Sequence, residues 1–407
     1  MVIKDAMMTV GVRVTLIVAG LATTIITARW LGPAGRGDYF FVVALSAMAG
    51  QIVHLGLHAS NAFYVAKNPK LFGALAVNSY WASVVLGGIA AATAITAIIY
   101  FGQSNHSFDV LYWALLLTPT GLATLYIGNL YVGVGRITEY NAVQLASAIV
   151  PFALICGVAA YSRTAPAFLA AASIAGVLNQ LVLASYSLRG QSAQWRFDAR
   201  LFRAGLPFAI RAYVINALCT MTLKAPALMF TAAPLKSELG YFSIAAQVFD
   251  AISVVPASIA AVLFPVLMKL EVDRWRETRR YMAILMGLAL LVAVVMGMLS
   301  NVFVDVLFGA RFAGAAAPLR IILPAAVFVS GTSLLSQYLA THGMPRSTAL
   351  AWLAAAVICI GLGPILVRTH GAVGAALVLS CATGVAWIIL LALSLRVSRR
   401  FVEHLTT

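Results

Sequence analysis

The sequence predicts an all-α polytopic membrane protein with about twelve transmembrane helices in two six-helix lobes, and three observations carry that prediction. Of 407 residues, 62% are hydrophobic and only 10% are charged, where a soluble domain carries about a quarter charged residues; the mean hydropathy is +0.96. Long apolar runs follow one another with short polar punctuation. A span with its connection takes roughly 30 to 35 residues, so about twelve of them use the whole chain. The runs are also continuous rather than alternating, which selects helices over a membrane barrel.

In order, the runs are 7–28, 39–66, 71–101, 109–132, 141–161, 165–188, 206–231, 240–268, 281–304, 316–341, 347–367 and 371–395. They divide the chain into an N-terminal lobe, 1–188, a basic linker, 189–205, a C-terminal lobe, 206–395, and a tail, 396–407. The first ten residues carry Lys4 and Asp5 without a separate short apolar region and cleavage site, so run 1 is expected to stay as an uncleaved span. The four cysteines, Cys156, Cys219, Cys359 and Cys381, lie far apart inside apolar runs. That spacing indicates neither a disulfide framework nor a zinc site.

Charge sets the orientation. The 27 Lys and Arg against 12 Asp and Glu give +15, which in a soluble chain would suggest nucleic acid. Here seventeen of the bases fall on the N-terminus, the connections after even-numbered runs and the C-terminal tail, and six, including Arg36, fall on the other connections. The positive-inside rule therefore puts both termini in the cytoplasm. The segment 269–280 mixes five bases with three acids around Trp275 and reads as a cytoplasmic interfacial stretch, with no nucleic-acid partner implied. Four bases remain inside runs: Arg13, Arg211, Lys224 and Arg320.

The two halves echo each other. Arg13 pairs with Arg211 at an offset of 198 residues, and Tyr39-Phe40 with Tyr241-Phe242 at 202. The exits of runs 4 and 10 agree as well, Tyr131 to Arg136 against Tyr338 to Arg346. Six spans per half is an even number, so the lobes would share an orientation and be related by a pseudo-twofold along the membrane normal.

The exit of run 1, Ala28-Arg-Trp-Leu-Gly-Pro-Ala-Gly-Arg-Gly-Asp-Tyr-Phe40, resembles a signature of polysaccharide-export flippases, the Wzx-type O-antigen and exopolysaccharide family of the multidrug/oligosaccharidyl-lipid/polysaccharide (MOP) exporter superfamily. The segment Val306-Leu-Phe-Gly-Ala-Arg-Phe-Ala-Gly-Ala-Ala-Ala-Pro-Leu319 is similar to that superfamily's connection between spans 9 and 10. The resemblance implies two lobes around a central cavity that opens alternately to each side of a bacterial inner membrane. It implies a polyprenyl-pyrophosphate-linked oligosaccharide as substrate, with polysaccharide polymerase and glycosyltransferases as pathway partners. It also implies no cofactor beyond a coupling proton or sodium ion.

Ionisable and polar groups within spans are costly and so are the candidate site residues. Arg13 lies about 9 Å into run 1 and Arg211 about 8 Å into run 7. Two readings are open: both guanidiniums snorkel to the interface, or they project into the cavity and hold a pyrophosphate by charge-assisted hydrogen bonds. Gln51, His54, His58 and Asn61 lie at spacings of 3, 4 and 3 on one helical face. That face is either a hydrogen-bonding seam between helices or a cavity lining for sugar, or for a titrating histidine. The i, i+4 histidines lack a third ligand nearby, so no metal is expected. Asp250, the one carboxylate deep in a run, shares its face with Gln247, and depth places Lys224 opposite it on the antiparallel run 7. A Lys224–Asp250 ion pair is expected, serving either structure or coupling and gating. Positions 211 and 224 are thirteen residues apart, near opposite faces of a straight helix, so both line one cavity only if Pro207 or Pro226 bends it. No phosphate loop, nucleophile elbow or metalloprotease motif occurs, and no enzyme is expected. The alternative function, a cation-coupled multidrug antiporter, needs membrane carboxylates, and only Asp250 qualifies. A membrane-embedded glycosyltransferase would need a large polar loop that the chain lacks.

Overall fold

The computed structural model describes the chain apart from residues 1, 101–107, 190–194, 233–234, 271–273, 344–346 and 407, and apart from the side chains at 2–7, 10, 208, 211–212, 214–216, 231–232, 261–262, 265–266, 269 and 400–406. Each of the twelve expected runs lies on helix. The helices are α1 (Val2–Val53), α2 (Leu57–Lys67), α3 (Phe72–Tyr100), α4 (Phe108–Leu111), α5 (Ala114–Gly133), α6 (Ile137–Ala159), α7 (Ala165–Ser187), α8 (Ala199–Leu228), α9 (Lys236–Lys269), α10 (Arg274–Phe308), α11 (Ala316–Ala340) and α12 (Ser347–Thr406). Among the described residues there is no strand, and nine helical stretches are long and apolar enough to cross a membrane.

Two of those stretches, Gly11–Val53 and Ser347–Arg399, join neighbouring expected runs across a backbone break, the first taking in most of run 7–28 and the first part of run 39–66, the second both runs 347–367 and 371–395. In α1 the break is Gly32, at φ 67°, followed by Pro33; in α12 it is Gly371, at φ 55°. A positive φ carries no side-chain penalty at glycine, so these two positions interrupt the helical path without a polar loop.

The chain forms two compact units, Met1–Ala217 and Leu218–Thr407. The expected boundary was the linker 189–205, whereas the contacts divide inside α8. The difference follows from how the start of α8 is fastened. The Asp198 carboxylate caps it, accepting from the amides of Arg200 and Leu201 at 3.0 Å each. Asn78 of α3 brackets the same corner, donating to the Asp198 carbonyl at 2.8 Å and accepting from its amide at 2.7 Å. Ser60 and Tyr64 of α2 donate to the carbonyls of Gly205 and Ala204. The first turns of α8 are thus part of the first unit.

Each unit is organised around one helix. Windows on α5 (Phe108–Gly133) and α11 (Ala310–Ala340) are 44% and 56% buried, more than any other candidate span. In the first unit Phe72, Leu75, Tyr80, Ile127, Leu130 and Tyr131 form the α3–α5 core. In the second, Leu263, Leu267, Leu285 and Leu334 join α9, α10 and α11, and Leu335, Tyr338 and Leu390 join α11 to α12. The duplication survives in these contacts. Tyr131, near the end of α5, packs on Phe72 at the start of α3 with ring centroids 5.4 Å apart. Tyr338, near the end of α11, packs on Trp275 at the start of α10 at 5.2 Å. Arg346, the other end of that pairing, lies outside the described residues.

The expected run 39–66 is not one helix. It is interrupted at His54–Gly56, where Leu55 and Gly56 take φ 47° and 72°. Gly56 is required by packing, since a Cβ there would run into the Ala209 carbonyl of α8. Replacing Gly56 with Ala is therefore expected to destabilise the protein by about 2 to 4 kcal/mol, from overpacking and the left-handed backbone together. A thermal or denaturant melt in detergent checks this, and an unchanged melting point would contradict the close approach.

Candidate functional site

Arg13 lies half-buried on the first arm of α1, and its guanidinium donates to the Tyr140 hydroxyl of α6 at 3.4 Å. Gln144, one turn further along α6, donates to the same oxygen at 3.4 Å. A bond this long to a neutral partner leaves most of the guanidinium's five donors for other acceptors. Arg211 falls on α8, and its side chain lies outside the described residues. Helix α8 runs without interruption from Ala199 to Leu228, so positions 211 and 224 stand about 140° apart around it.

The four polar residues of run 2 are brought together around the His54–Gly56 break, and they differ in what they have left to offer. His54 is fully buried. Its Nδ1 accepts from the Gly56 amide at 2.9 Å, so the proton resides on Nε2, which donates to Gln51 Oε1 at 2.8 Å. The His54 ring also meets His58 edge-on at 4.9 Å and Tyr213 at 5.0 Å. Tyr126 and Tyr213 donate to the carbonyls of His54 and Ile52 at 3.2 and 2.7 Å. Two of the carbonyls at the break are thereby bonded from neighbouring helices. Asn61 donates to Ser79 of α3 at 2.8 Å, and Ser79 in turn donates to the Leu75 carbonyl. His58 stands apart: its Nδ1 is buried and has no partner among the described residues. Among those residues no group of three His, Cys, Asp or Glu is placed to hold a metal ion.

In the second unit, Lys224 Nζ bonds both oxygens of Asp250, at 3.0 and 2.8 Å. The two side chains are 35% and 43% exposed, so the pair faces open space on one side. Gln247, one turn earlier on α9, is half-buried.

Two charged residues with a structural task were not singled out by sequence pattern. Arg36, counted above among the outer-loop bases, is instead inside the second arm of α1 and only 3% exposed. It donates to the hydroxyls of Thr27 and Thr24 at 2.7 and 3.4 Å and lies over the rings of Tyr39 and Phe40 at 5.4 and 5.8 Å. The signal was present: Thr27 and Arg36 are nearly equidistant from the Gly32–Pro33 break, so a reversal there brings them together. Glu238, at the start of α9, accepts from the Ala372 amide at 2.9 Å and so caps the helical arm that begins after Gly371.

Residues 2–271 match the polysaccharide biosynthesis protein family. Among solved structures the chain is similar to an inward-facing multidrug resistance MATE family transporter of the MOP superfamily, at 16% identity and a TM-score of 0.73, covering 98% of this chain and 99% of that one. It is equally similar to the lipid II flippase MurJ in an inward closed conformation, at 15% identity and a TM-score of 0.73, covering 98% and 91%. The eukaryotic MATE transporter AtDTX14 follows at 12% identity and 0.65, with 98% of each chain covered. No curated protein matches the chain in sequence. At these identities the structural likeness speaks to the fold alone, a multi-pass helical membrane protein. With well over half of its length matching the family model, the chain belongs to the polysaccharide biosynthesis protein family.

Proposed function

We propose that the protein is a flippase that moves a polyprenyl-pyrophosphate-linked oligosaccharide across a bacterial inner membrane by alternating access, with both termini in the cytoplasm. The observation that carries this reading is the in-span charge. Lys224 is neutralised by Asp250, whereas the exposed Arg320 guanidinium bonds the neutral Ser300 hydroxyl at 2.6 Å and keeps its charge. Among the described residues Arg13 has one long bond, to Tyr140. In this reading Arg13 and its repeat partner Arg211, whose side chain lies outside the described residues, are the cations that meet an anionic headgroup, and His58, whose Nδ1 has no partner among the described residues, turns to a sugar hydroxyl. A cation-exporting antiporter would want a free membrane carboxylate, and Asp250 is already bonded. Family membership and the likeness to a lipid II flippase support the same direction.

In proteoliposomes loaded with a fluorescent polyprenyl-pyrophosphate oligosaccharide, Arg13→Ala and Arg211→Ala are each expected to slow translocation tenfold or more. That is the loss of one charge-assisted phosphate contact of roughly 1.5 to 3 kcal/mol. Lysine at either position should restore part of the rate as a point charge. Full-rate flipping by the double alanine variant would overturn the pyrophosphate role.

The Lys224–Asp250 pair is proposed as the coupling element, opening during the cycle to a proton or sodium ion. Asp250→Asn and Lys224→Met are each expected to cost about 1 to 2 kcal/mol of stability, between exposed and buried ion-pair values, and the double variant less than their sum. The coupling role is read separately: Asp250→Asn should flip substrate without responding to an imposed proton or sodium gradient. An unaltered gradient response would leave the pair a structural tie.

A further inference from the structure

The corner where the α7–α8 connection meets α3 holds a groove unrelated to the residues above. It has a volume of about 280 Å³ and is lined by Trp81, Ala82, Val85 and Leu86 of α3 with Phe197 and Phe202. Its wall is apolar throughout, yet the segment that closes it is polar-fastened. The Trp81 indole donates to the Trp195 carbonyl at 3.4 Å, Trp195 lies 6.1 Å from the Tyr80 ring, and Phe197 packs on Phe202 at 5.4 Å. The Asn78 bonds to Asp198 hold the segment from below. The groove is therefore a built feature of the first unit.

Its surroundings specify an occupant. On α3, Trp81, Val84, Val85 and Ile89 are all 45% or more exposed, and their spacing makes one outward stripe on a helix whose mean hydropathy is 2.1. Such a stripe faces acyl chains, so the groove opens onto the bilayer. The segment beside it carries Arg196, Arg200 and Arg203, all exposed. No carboxylate among the described residues pairs with any of the three, and the one acid in the stretch, Asp198, is committed to capping α8. Exposed Trp195 and Phe197 alternate with those bases, the composition of an interfacial anchor.

We propose that this groove holds an acyl chain of an anionic phospholipid whose phosphate is held by Arg196, Arg200 and Arg203, fastening the start of α8 to the membrane. An apolar slot next to three unpaired guanidiniums matches a molecule with a hydrocarbon chain and a phosphate, and charge complementarity excludes a zwitterionic lipid as the preferred occupant. The proposal is independent of the transported substrate.

The test uses the full-length protein in phosphatidylcholine vesicles doped with graded fractions of phosphatidylglycerol brominated on its acyl chains, reading tryptophan emission. Bromine quenches by contact, and Trp81 and Trp195 flank the groove. The expected result is a quenching component that saturates at a low fraction of brominated phosphatidylglycerol and disappears in a Trp81→Phe/Trp195→Phe variant. Each arginine-to-alanine change should weaken it about fivefold. Val85→Phe, which fills the slot and keeps the arginines, should abolish it with helicity by circular dichroism unchanged, so a misfolded arginine variant does not leave the question open. Equal quenching by brominated phosphatidylcholine would overturn the proposal. So would stronger displacement of the component by a polyprenyl pyrophosphate than by unlabelled phosphatidylglycerol, which would reassign the groove to the substrate's own chain.

Discussion

A helix that stops inside hydrocarbon releases amides and carbonyls that no water can satisfy, and this constraint governs where the chain can bend. At two of the breaks described above a polar side chain has taken over a released amide, and at the exposed start of α8 another does the same beside water. His54 Nδ1 takes the Gly56 amide, Glu238 takes the Ala372 amide, and Asp198 takes two amides at the start of α8. At Gly32 the repair is different in kind. Arg36 ties the two arms through the Thr27 and Thr24 hydroxyls, and Thr27 itself donates to the Thr23 carbonyl at 2.7 Å. Buried polar residues in this protein are thus divided between those that make the fold possible and those left over for a ligand.

That division sharpens the functional reading. A polar face along one helix is ambiguous in sequence, because a seam and a cavity lining demand the same residue types. The bonds separate them: Gln51, His54 and Asn61 have partners inside the first unit, whereas His58 Nδ1 has none among the described residues. The same sorting applies to the duplicated halves. Tyr131 and Tyr338 make the same ring contact with the first turn of the equivalent helix, so their recurrence has a packing cause. Arg13 differs: among the described residues it holds one long bond to a neutral hydroxyl, a weaker packing cause than the ring contacts of the tyrosines.

The apolar runs were legible because hydropathy records side-chain polarity, and helix placement in a membrane depends on little else. The Lys224–Asp250 pair was legible too, because two opposite charges at matched depth on antiparallel neighbours have few alternatives. The break at His54–Gly56 was hidden, since it depends on a positive φ at Leu55 and on the approach of Ala209, about 150 residues further along the chain. Arg36 was misplaced because a charge-per-loop tally assumes that arginine near a turn meets water. The unit boundary moved into α8 for a related reason: a basic linker reads as solvated, while Asn78, Ser60 and Tyr64 bond its far end to the first unit.

Net charge, read as a whole, says little about mechanism here, because most of it reports orientation. Within the spans the tally reduces further once partners are assigned. Asp250 cancels Lys224, whereas Arg320 bonds a neutral hydroxyl and keeps its charge. An anion entering the membrane region would therefore meet positive charge at Arg13 and Arg320 that no carboxylate among the described residues offsets. A cationic substrate would find its carboxylate bonded to an ammonium at 2.8 Å, and would have to displace that ammonium into a low-dielectric surrounding where an unpaired charge is costly. The asymmetry does not depend on the depth of any one residue. It follows from a surplus of positive charge in which Asp250, the one deep acid of the sequence, is already matched, and it supports the proposed anionic headgroup.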